Sequence, residues 1–465
     1  MSGLLPEEHP RVLVVGAAVF SRASGIGITL SNLFAGWPRD RLAQLYTEDG
    51  EPVTDVCATF ARVGPELAPV EHHLYRLRAR TRRAGRTAAV GGAGADGTAA
   101  AKPDPGPVRA RLLSELRAFL DLAPIRVPPQ VRDWLRAQRP EVLYATMGSI
   151  RMMRLAVAAA RECRVPLVPH FMDDWPTTLY KEGQTLGLAR WAVRAELRAV
   201  LRHSSYGLGI SGPMAREYER RYRLPFAAFG NCVDVADFAD PVDPAQPRPV
   251  TTPIELVYVG GLHLERWRSL RRVGEALGRL APDGVSARLT VHTPAQDVTR
   301  YASRLADLPA VCLGRSLASS EVAAVLRRAD ILVHVESFAE NNRAYTRYSL
   351  STKIPQYLAA GRPVLGFGPA ELASMVHLTE AGAGVVVGVD DPAALTRELS
   401  RLCHDAGLRD RLGRQGLAFA VRHHRADQVA LRLAEILREA ARRPVGQPSA
   451  PRAEPPHRAL APADR

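Results

Sequence analysis

The strongest constraint on the fold is an alternation of short apolar runs and helical patterns that occurs twice along this 465-residue chain. Residues 11–16 form the first apolar run, and it ends in glycine, as a strand buried in a parallel sheet often does. Similar runs follow as far as residue 230, and the alternation restarts at Leu256 after a segment with five prolines, 241–253. We therefore expect an α/β protein with two doubly wound, Rossmann-like parallel sheets that face each other across a cleft.

Apolar runs and helical spacing predict the individual elements. The predicted strands are 11–16, 42–47, 142–146, 166–172, 206–211, 226–230, 256–260, 288–292, 311–314, 331–335, 364–367 and 384–389. The predicted helices are 28–35, 150–163, 188–201, 213–222, 268–280, 321–328 and 409–442. Ligands of such sheets bind beyond the carboxyl ends of the strands, so the site is expected in the cleft.

Shifts in composition predict the domain boundaries. Residues 78–107 are rich in Arg, Gly and Pro and have too little apolar surface to fold, so we predict a disordered insertion. The Pro- and Ala-rich tail is predicted to be disordered as well. The predicted division is an N-terminal domain over 1–238, a linker over 239–253, a C-terminal domain over 254–425, a C-terminal helix over 426–443 and the tail over 444–465.

Charge and cysteine content narrow the class of protein. The net charge is +14, but zinc-finger spacing, RNA-binding aromatics and a basic leucine zipper are missing, so nucleic acid is not the expected partner. The basic surface suits sugar diphosphates or an anionic membrane surface. Five scattered cysteines and the lack of an apolar run of 18 residues predict a cytoplasmic protein, with peripheral contact at the inner membrane face as an alternative.

The most specific segment for function runs from residue 329 to 364. It reads as a strand that ends in the carboxylate Glu336, then a polar loop, then a helix entered through Ser351, Thr352 and Lys353. Hydroxyl groups cap helices, and a helix N-terminus that faces a cleft favours phosphate. Lys353 is one of only three lysines in a chain whose other cations are arginines, which indicates a specific role as a point charge on phosphate.

This segment resembles the family-4-like retaining glycosyltransferases of bacteria, which have the GT-B fold. The resemblance rests on Glu336 and Phe338, followed by Ala359, Gly361, Pro363 and Val364. It implies transfer of a sugar from a nucleotide diphosphate sugar, with retention and with Glu336 near the transferred sugar. The family carries a second Glu that contacts the ribose, and this chain has Gln356 there. An amide both donates to and accepts from a hydroxyl.

A second segment predicts contacts to the diphosphate. The strand that ends at residue 260 leads into Gly261, and a loop with Arg266 and Arg268 follows. Glycine permits close approach of the backbone, and arginine binds phosphate oxygens in a planar fork. The resemblance implies basic residues on the pyrophosphate at this point, and the sequence does not choose between the two arginines.

Two further segments are expected near the sugar and the acceptor. Gly25 and Gly27 follow the first strand, and the resemblance places that loop opposite the donor sugar. His170, Asp173 and Asp174 end a later strand, where they suit acid–base chemistry, sugar hydroxyls or a helix cap. Adjacent aspartates lack the Asp-x-Asp spacing of a metal-dependent transferase, so neither a metal nor a cofactor is predicted beyond the nucleotide-sugar substrate.

The predicted function is glycosyl transfer to a saccharide, lipid-linked or small-molecule acceptor in polysaccharide or glycoconjugate biosynthesis. Alternatives are a nucleotide-sugar epimerase, an inverting transferase and a catalytically silent sugar-nucleotide-binding protein; donor turnover separates them. A nicotinamide-dependent oxidoreductase is a further alternative. It is disfavoured because Leu30 stands where the dinucleotide motif of that class has its third glycine.

Overall fold

The computed structural model describes residues 9–22, 25–64, 67, 107–238 and 252–443. The predicted insertion, except Pro107, the linker residues 239–251 and the predicted tail lie outside these ranges. Within them the chain forms two sheets in which every recorded strand pair is parallel, and this confirms the predicted fold class.

The first sheet has seven strands in the order β3-β2-β1-β4-β5-β6-β7. They are β1 (Val12–Gly16), β2 (Leu42–Tyr46), β3 (Thr59–Arg62), β4 (Val142–Thr146), β5 (Leu167–Phe171), β6 (Gly207–Gly209) and β7 (Phe226–Ala228). The sequence analysis missed β3. Its four residues, Thr-Phe-Ala-Arg, form an edge strand whose side chains are only partly buried, so no apolar run marks it.

The second sheet has six strands in the order β10-β9-β8-β11-β12-β13, the arrangement of a dinucleotide-binding sheet. They are β8 (Ile254–Val259), β9 (Ala287–His292), β10 (Val311–Gly314), β11 (Ile331–Val335), β12 (Val364–Phe367) and β13 (Gly384–Val387). All twelve predicted strands are confirmed, with ends that differ by up to two residues. Short apolar runs between helices were the clearest signal because both faces of these strands are covered.

Helices cover both sheets. They are α1 (Gly25–Leu33), α2 (Pro107–Leu122), α3 (Pro129–Ala137), α4 (Ile150–Cys163), α5 (Trp175–Thr178), α6 (Leu188–Arg202), α7 (Gly212–Tyr222), α8 (Arg266–Leu280), α9 (Ala295–Tyr301), α10 (Ser319–Arg328), α11 (Glu340–Thr346), α12 (Ile354–Ala359), α13 (Ala373–Glu380), α14 (Pro392–His404), α15 (Ala406–His423) and α16 (Ala426–Ala441). Among these described helices, none is both long and apolar enough to cross a bilayer.

The predicted helix over 409–442 is two helices, α15 and α16. The chain leaves helical geometry at His424 and Arg425, where Val233 donates its N–H to the carbonyl of His424 (2.9 Å) and accepts from Ala426 (3.0 Å). Helix α15 packs on α12 beside the second sheet, whereas Leu433 and Leu437 of α16 are fully buried against the first sheet. The break is therefore the point at which the chain returns to the N-terminal half.

Glycine at position 413 allows α15 to approach the turn after α12. A Cβ atom there would overlap the backbone carbonyl of Gly361, which cannot move aside as a side chain would. We expect Gly413→Ala to lower the free energy of unfolding by about 2 kcal/mol, an overpacking effect measured by urea denaturation. Gly278→Ala, on the exposed end of α8 with open space around it, is the matched control and should stabilise by about 0.5 kcal/mol or more. Equal effects of the two variants would contradict this account of the contact.

Candidate functional site

The candidate site is a cavity of about 1210 Å³ where the carboxyl ends of the two sheets meet. Its walls come from both halves: Gly25 and Asp173 from the first, and Gly261, Glu336 and Lys353 from the second. Each residue follows a strand or opens a helix, so the fold itself brings together segments that lie far apart in sequence. Arg266, Ser351 and Thr352 also line this cavity.

Glu336 is a buried, ionised carboxylate. It follows β11 directly, and its side chain is 4% exposed. Arg266 donates to both carboxylate oxygens over 3.1–3.2 Å, and the Nε2 atom of His334 lies 3.4 Å away. Burial alone would raise the pKa of Glu336, but the guanidinium of Arg266 and the nearby His334 hold it at about 2. The group therefore carries a negative charge at neutral pH.

The pair also fixes Arg266. Its guanidinium is 17% exposed at the cavity wall, and the facing carboxylate raises its pKa although burial acts in the opposite direction. Arg268, the other predicted arginine, is 65% exposed, pairs with Glu265 (3.3 Å) and does not line the cavity. Of the two arginines between which the sequence did not choose, Arg266 is the one that lines the cavity.

Lys353 brings a positive charge to the cavity without a protein counter-ion. Its ammonium group has no hydrogen bond or ion pair with any residue that the structure describes, and burial lowers its pKa. The helix after it begins at Ile354, later than predicted, and no side-chain hydroxyl caps it. Ser351 accepts a long bond from the Lys353 N–H (3.4 Å) instead. The cavity therefore offers an unpaired cation beside two hydroxyl groups.

Asp173 connects the two halves across the cavity. Its carboxylate accepts hydrogen bonds from Ser349 Oγ (2.5 Å) and Tyr345 Oη (3.2 Å), and burial raises its pKa. The sequence analysis predicted neither partner: Tyr345 lies in the segment that it treated as a polar loop, where the structure has helix α11, and Ser349 follows that helix. The hydroxyl-bearing residues between 345 and 349, which follow the strand before Glu336, were the sequence feature that could have indicated these partners.

A second contact between the halves lies beside Thr352. Asn231 donates from Nδ2 to the carbonyl oxygen of Thr352 (2.8 Å) and accepts from Asn32 (3.0 Å). Asn231 therefore lies on a connection between the two halves of the chain. The loop that carries Lys353 is therefore held by the N-terminal half.

His170 and Asp174 were predicted site residues, and neither lines the cavity. His170 lies in β5 and is fully buried, and its Nδ1 atom is hydrogen-bonded to the Tyr144 hydroxyl. Asp174 accepts from Tyr218 Oη (2.6 Å), Thr177 Oγ1 (2.8 Å) and Arg221 (3.3 Å) and organises the turn into α5. These hydrogen bonds of the two side chains are made within the N-terminal half and not into the cavity.

Gly27 and Gln356 are also away from the cavity wall. Gly27 is buried inside α1, because this helix starts at Gly25, three residues before the predicted start at residue 28. Gln356 lies in α12, and its Oε1 atom is buried without a hydrogen-bond partner among the described residues. An unsatisfied acceptor of this kind is uncommon in a folded protein and is consistent with a ligand partner.

Asp297 supports the glycine loop, and the sequence analysis missed it. Its Oδ2 atom accepts the Leu262 N–H (2.7 Å), and a Cβ atom on Gly261 would overlap the His263 ring and come within 3.3 Å of this carboxylate. Asp297 comes from α9, 36 residues beyond Gly261, so spacing alone gave no signal. In the described part of the chain, no cluster of three or more His, Cys, Asp or Glu side chains is arranged to hold a metal ion.

Three buried histidines predict loss of stability in mild acid. Burial lowers the pKa of His170 to about 3, that of His377 to about 4 and that of His424 to about 3. Since the unfolded chain binds protons near pH 6.5 and the folded chain does not, the free energy of unfolding should fall as pH drops from 6.5 to 5, by up to about 1.4 kcal/mol per pH unit for each histidine.

Urea unfolding at several pH values tests this pH dependence of the free energy of unfolding. We expect His170→Gln to have a shallower decline than the parent, and His404→Gln, at an exposed surface position, to keep the parental decline. A parental stability that does not change between pH 6.5 and 5 would show that these side chains become protonated without unfolding.

The chain is similar to known proteins over part of its sequence and over most of its structure. Residues 267–435 match the family model described as "Glycosyl transferase-like". No curated protein sequence matches the chain at a significant level. Among solved structures, Alr3699/HepE from Anabaena in complex with UDP and glucose is similar with a TM-score of 0.60 at 14% identity, over 93% of this chain and 100% of that one.

Two other solved structures have the same arrangement. Sucrose-phosphate synthase from Thermosynechococcus elongatus has a TM-score of 0.57 at 13% identity, over 92% of this chain and 99% of that one. WaaG, a glycosyltransferase involved in lipopolysaccharide biosynthesis, has a TM-score of 0.55 at 13% identity, over 91% and 99%. These similarities extend over both sheets and show a shared fold.

Proposed function

We propose that this chain is a nucleotide-sugar-dependent glycosyltransferase of the GT-B, family-4-like type, and that it transfers its sugar with retention and without a metal. The proposed setting is polysaccharide or glycoconjugate biosynthesis. Retention follows the resemblance of the segment from Glu336 to Val364 to retaining enzymes of this type. Because one similar structure contains UDP, we propose uridine diphosphate as the first candidate for the leaving group.

The observation that carries the proposal is the ammonium group of Lys353, which lies in a cavity between two sheets without a partner in the described part of the chain. A partly desolvated cation without a protein partner is unfavourable unless an anion binds beside it. The departing diphosphate is that anion in the proposed reaction, and positive charge next to it stabilises the transition state. Hydroxyl groups of Ser351 and Thr352 line the same wall and suit phosphate oxygens.

Arg266 and Glu336 form the opposite part of the proposed donor site. The guanidinium reaches the cavity while it is held against the carboxylate, so it has donors available for the diphosphate or the sugar. Glu336 accepts hydrogen bonds from sugar hydroxyls in this arrangement. Its low pKa keeps it ionised, which makes it an acceptor and an electrostatic group rather than a general acid at neutral pH.

Gln356 and Asp173 have proposed supporting roles. The buried, unpaired Oε1 atom of Gln356 would accept from a ribose hydroxyl after a small movement of α12. Asp173 joins the two halves through Ser349 and Tyr345, so it positions the acceptor side relative to the donor side. Closure of the halves would exclude water from the reacting atoms.

A thermal-shift panel with UDP, GDP, dTDP, ADP and NAD tests the proposed donor site. A nucleoside diphosphate that binds the folded chain raises the melting temperature by mass action, and the largest shift identifies the base. Proton NMR of the product formed from the matching nucleotide sugar then gives the anomeric configuration. Inverted product would overturn retention, and a shift with NAD alone would overturn the glycosyltransferase donor site.

A catalytically silent sugar-nucleotide-binding protein is the second candidate. The specific observation in its favour is Gln356, an amide where the resembling enzymes carry a carboxylate. A Gln356→Glu variant separates the two candidates. Turnover by the parent chain removes the silent candidate, whereas turnover that appears only in this variant supports it.

A further inference from the structure

Helix α2 is amphipathic, but its apolar stripe faces solvent and not the protein. Three of its polar side chains face the protein: Ser114 accepts from Gln184 Nε2 (3.2 Å), Glu115 accepts the Thr185 N–H (2.7 Å), and Asp121 accepts the Ile150 N–H (2.9 Å). A helix on the surface of a globular protein ordinarily buries its apolar stripe and exposes its polar one. The reversed orientation of α2 therefore requires a second explanation.

The apolar side chains of α2 face outward. Val108, Leu112, Leu116 and Phe119 are 74%, 65%, 48% and 62% exposed, and their spacing places them on one side of the helix. Leu113, beside them, is 51% exposed. A continuous stripe of this kind differs from scattered exposed leucines because it marks a surface that contacts something else.

The neighbouring loop and helix extend this stripe. Leu186 is completely exposed, Leu188 is 58% exposed and Trp191 is 66% exposed. Thr185 and Leu186 have left-handed backbone angles (φ of 53° and 56°), which residues with a Cβ atom disfavour. Because Glu115 of α2 holds this turn through the Thr185 N–H, the strained loop and the helix form one built surface.

Together these residues account for eight of the eleven large apolar side chains that are exposed in the described part of the chain. We call residues 108–119 and 186–191 the α2 surface. The helices α2 and α6 also carry Arg111, Arg117, Arg194 and Arg198, which are exposed and have no ion pair with any described residue. Of the nearby carboxylates, Glu115 is engaged by the loop, and Glu182 is exposed.

We propose that the α2 surface lies on an anionic lipid bilayer. Leucine, phenylalanine and tryptophan side chains enter the boundary between headgroups and acyl chains, and the exposed arginines of α2 and α6 contact lipid phosphates. A second copy of the chain is a poorer occupant, because a two-fold contact would bring the same unpaired arginines together. The net charge of +14 favours an anionic surface over a neutral one.

Vesicle flotation of the full chain tests the inference without reference to sugar transfer. One vesicle preparation is pure phosphatidylcholine, and the other contains phosphatidylcholine and phosphatidylglycerol in roughly equal parts. We expect binding to the anionic vesicles. The combined variant Leu116→Ser, Leu186→Ser and Trp191→Ser should weaken this binding by about tenfold or more, since it removes apolar groups that enter the bilayer.

Matched variants separate the apolar and the charged contributions. Val389→Ser, at a 58% exposed position in the second half of the chain, should bind vesicles like the parent. Arg194→Gln with Arg198→Gln should weaken binding to anionic vesicles and remove part of its salt dependence. All these positions are exposed, so unchanged urea midpoints should accompany the changes in binding.

Three results would overturn the inference. The first is no flotation with anionic vesicles at low salt. The second is equal flotation of the parent and the triple serine variant. The third is a concentration-dependent dimer, seen by sedimentation, that the triple variant abolishes, because the occupant would then be a second copy of the chain.

Discussion

Replacing Lys353 with alanine is expected to lower kcat/KM for sugar transfer by about 10²–10³-fold, the usual effect of removing one group that stabilises developing charge. The reason is that its ammonium group lines the cavity and has no hydrogen-bond or ion-pair partner among the described residues, so it is available to the proposed diphosphate. The melting-temperature shift caused by the preferred nucleoside diphosphate should disappear as well. Steady-state kinetics and thermal shift on the same preparation provide both measurements.

Two variants control this result. Lys181→Ala removes a lysine that contacts Asn341 (3.3 Å) outside the cavity, and its kcat/KM should match that of the parent. Lys353→Arg keeps the charge but replaces a compact point charge with a longer planar group, so recovery should be partial. The melting temperature of ligand-free Lys353→Ala should not fall, because the change removes a partly desolvated cation. Parental kcat/KM in Lys353→Ala would contradict the assigned donor site.

Replacing Glu336 with alanine is expected to lower the free energy of unfolding by about 3 kcal/mol, in addition to abolishing transfer, because it leaves a buried guanidinium without a partner. The carboxylate is 4% exposed and receives two-pronged donation from Arg266. Arg266→Met should also destabilise, for the converse reason. The double variant Arg266→Met with Glu336→Gln should recover much of the lost stability without recovering activity. This pattern would separate the structural contribution of the pair from its chemical one.

An exposed pair is the control for this comparison. Glu398 and Arg401 pair along the surface of α14 (3.1 Å), and the arginine is 55% exposed. Glu398→Ala should therefore cost no more than about 1 kcal/mol. Equal urea-unfolding costs for Glu336→Ala and Glu398→Ala would contradict the assigned buried pair.

The pH dependence of the Glu336–Arg266 pair has a defined sign. The pKa of the Glu336 carboxyl is lowered to about 2 in the folded chain, so the stabilisation by the pair is complete above pH 4.5 and is lost as pH falls toward 2. The buried histidines lower the free energy of unfolding at higher pH, as the pH falls from 6.5 to 5. The double variant should consequently keep the histidine-dependent decline and have a smaller decline below pH 4.5, where carboxyl groups with lowered pKa such as Glu217 and Glu321 still contribute.

Much of the fold was predictable from local patterns. Parallel strands covered on both faces require continuous apolar runs, and such runs between helical segments identified twelve strands in their observed places. Short, exposed or inverted elements were missed. The strand β3 has only partly buried side chains, and α2 exposes its apolar stripe, so neither follows the usual relation between pattern and burial.

The site was predictable where a residue follows a strand in the chain. Glu336, Asp173 and Gly261 end strands, and the carboxyl edges of parallel strands converge, so sequence placed them in the cavity. His170 and Asp174 have the same position in the chain but lie elsewhere. Side-chain direction alternates along a strand, and the turn after it decides which groups remain inside. Their roles required the Tyr144, Tyr218 and Arg221 contacts.

The sequence alone determined two α/β sheets, the cleft between them and the segments that border it, because these features depend on short-range pattern and on general rules of chain connection. Only the tertiary structure decided that Arg266 rather than Arg268 enters the cleft and pairs with Glu336. It also showed that Lys353 has no described partner. These facts depend on contacts between residues about 70 positions apart, such as Arg266 and Glu336, and the spacing of residues within one segment contains no information about such contacts.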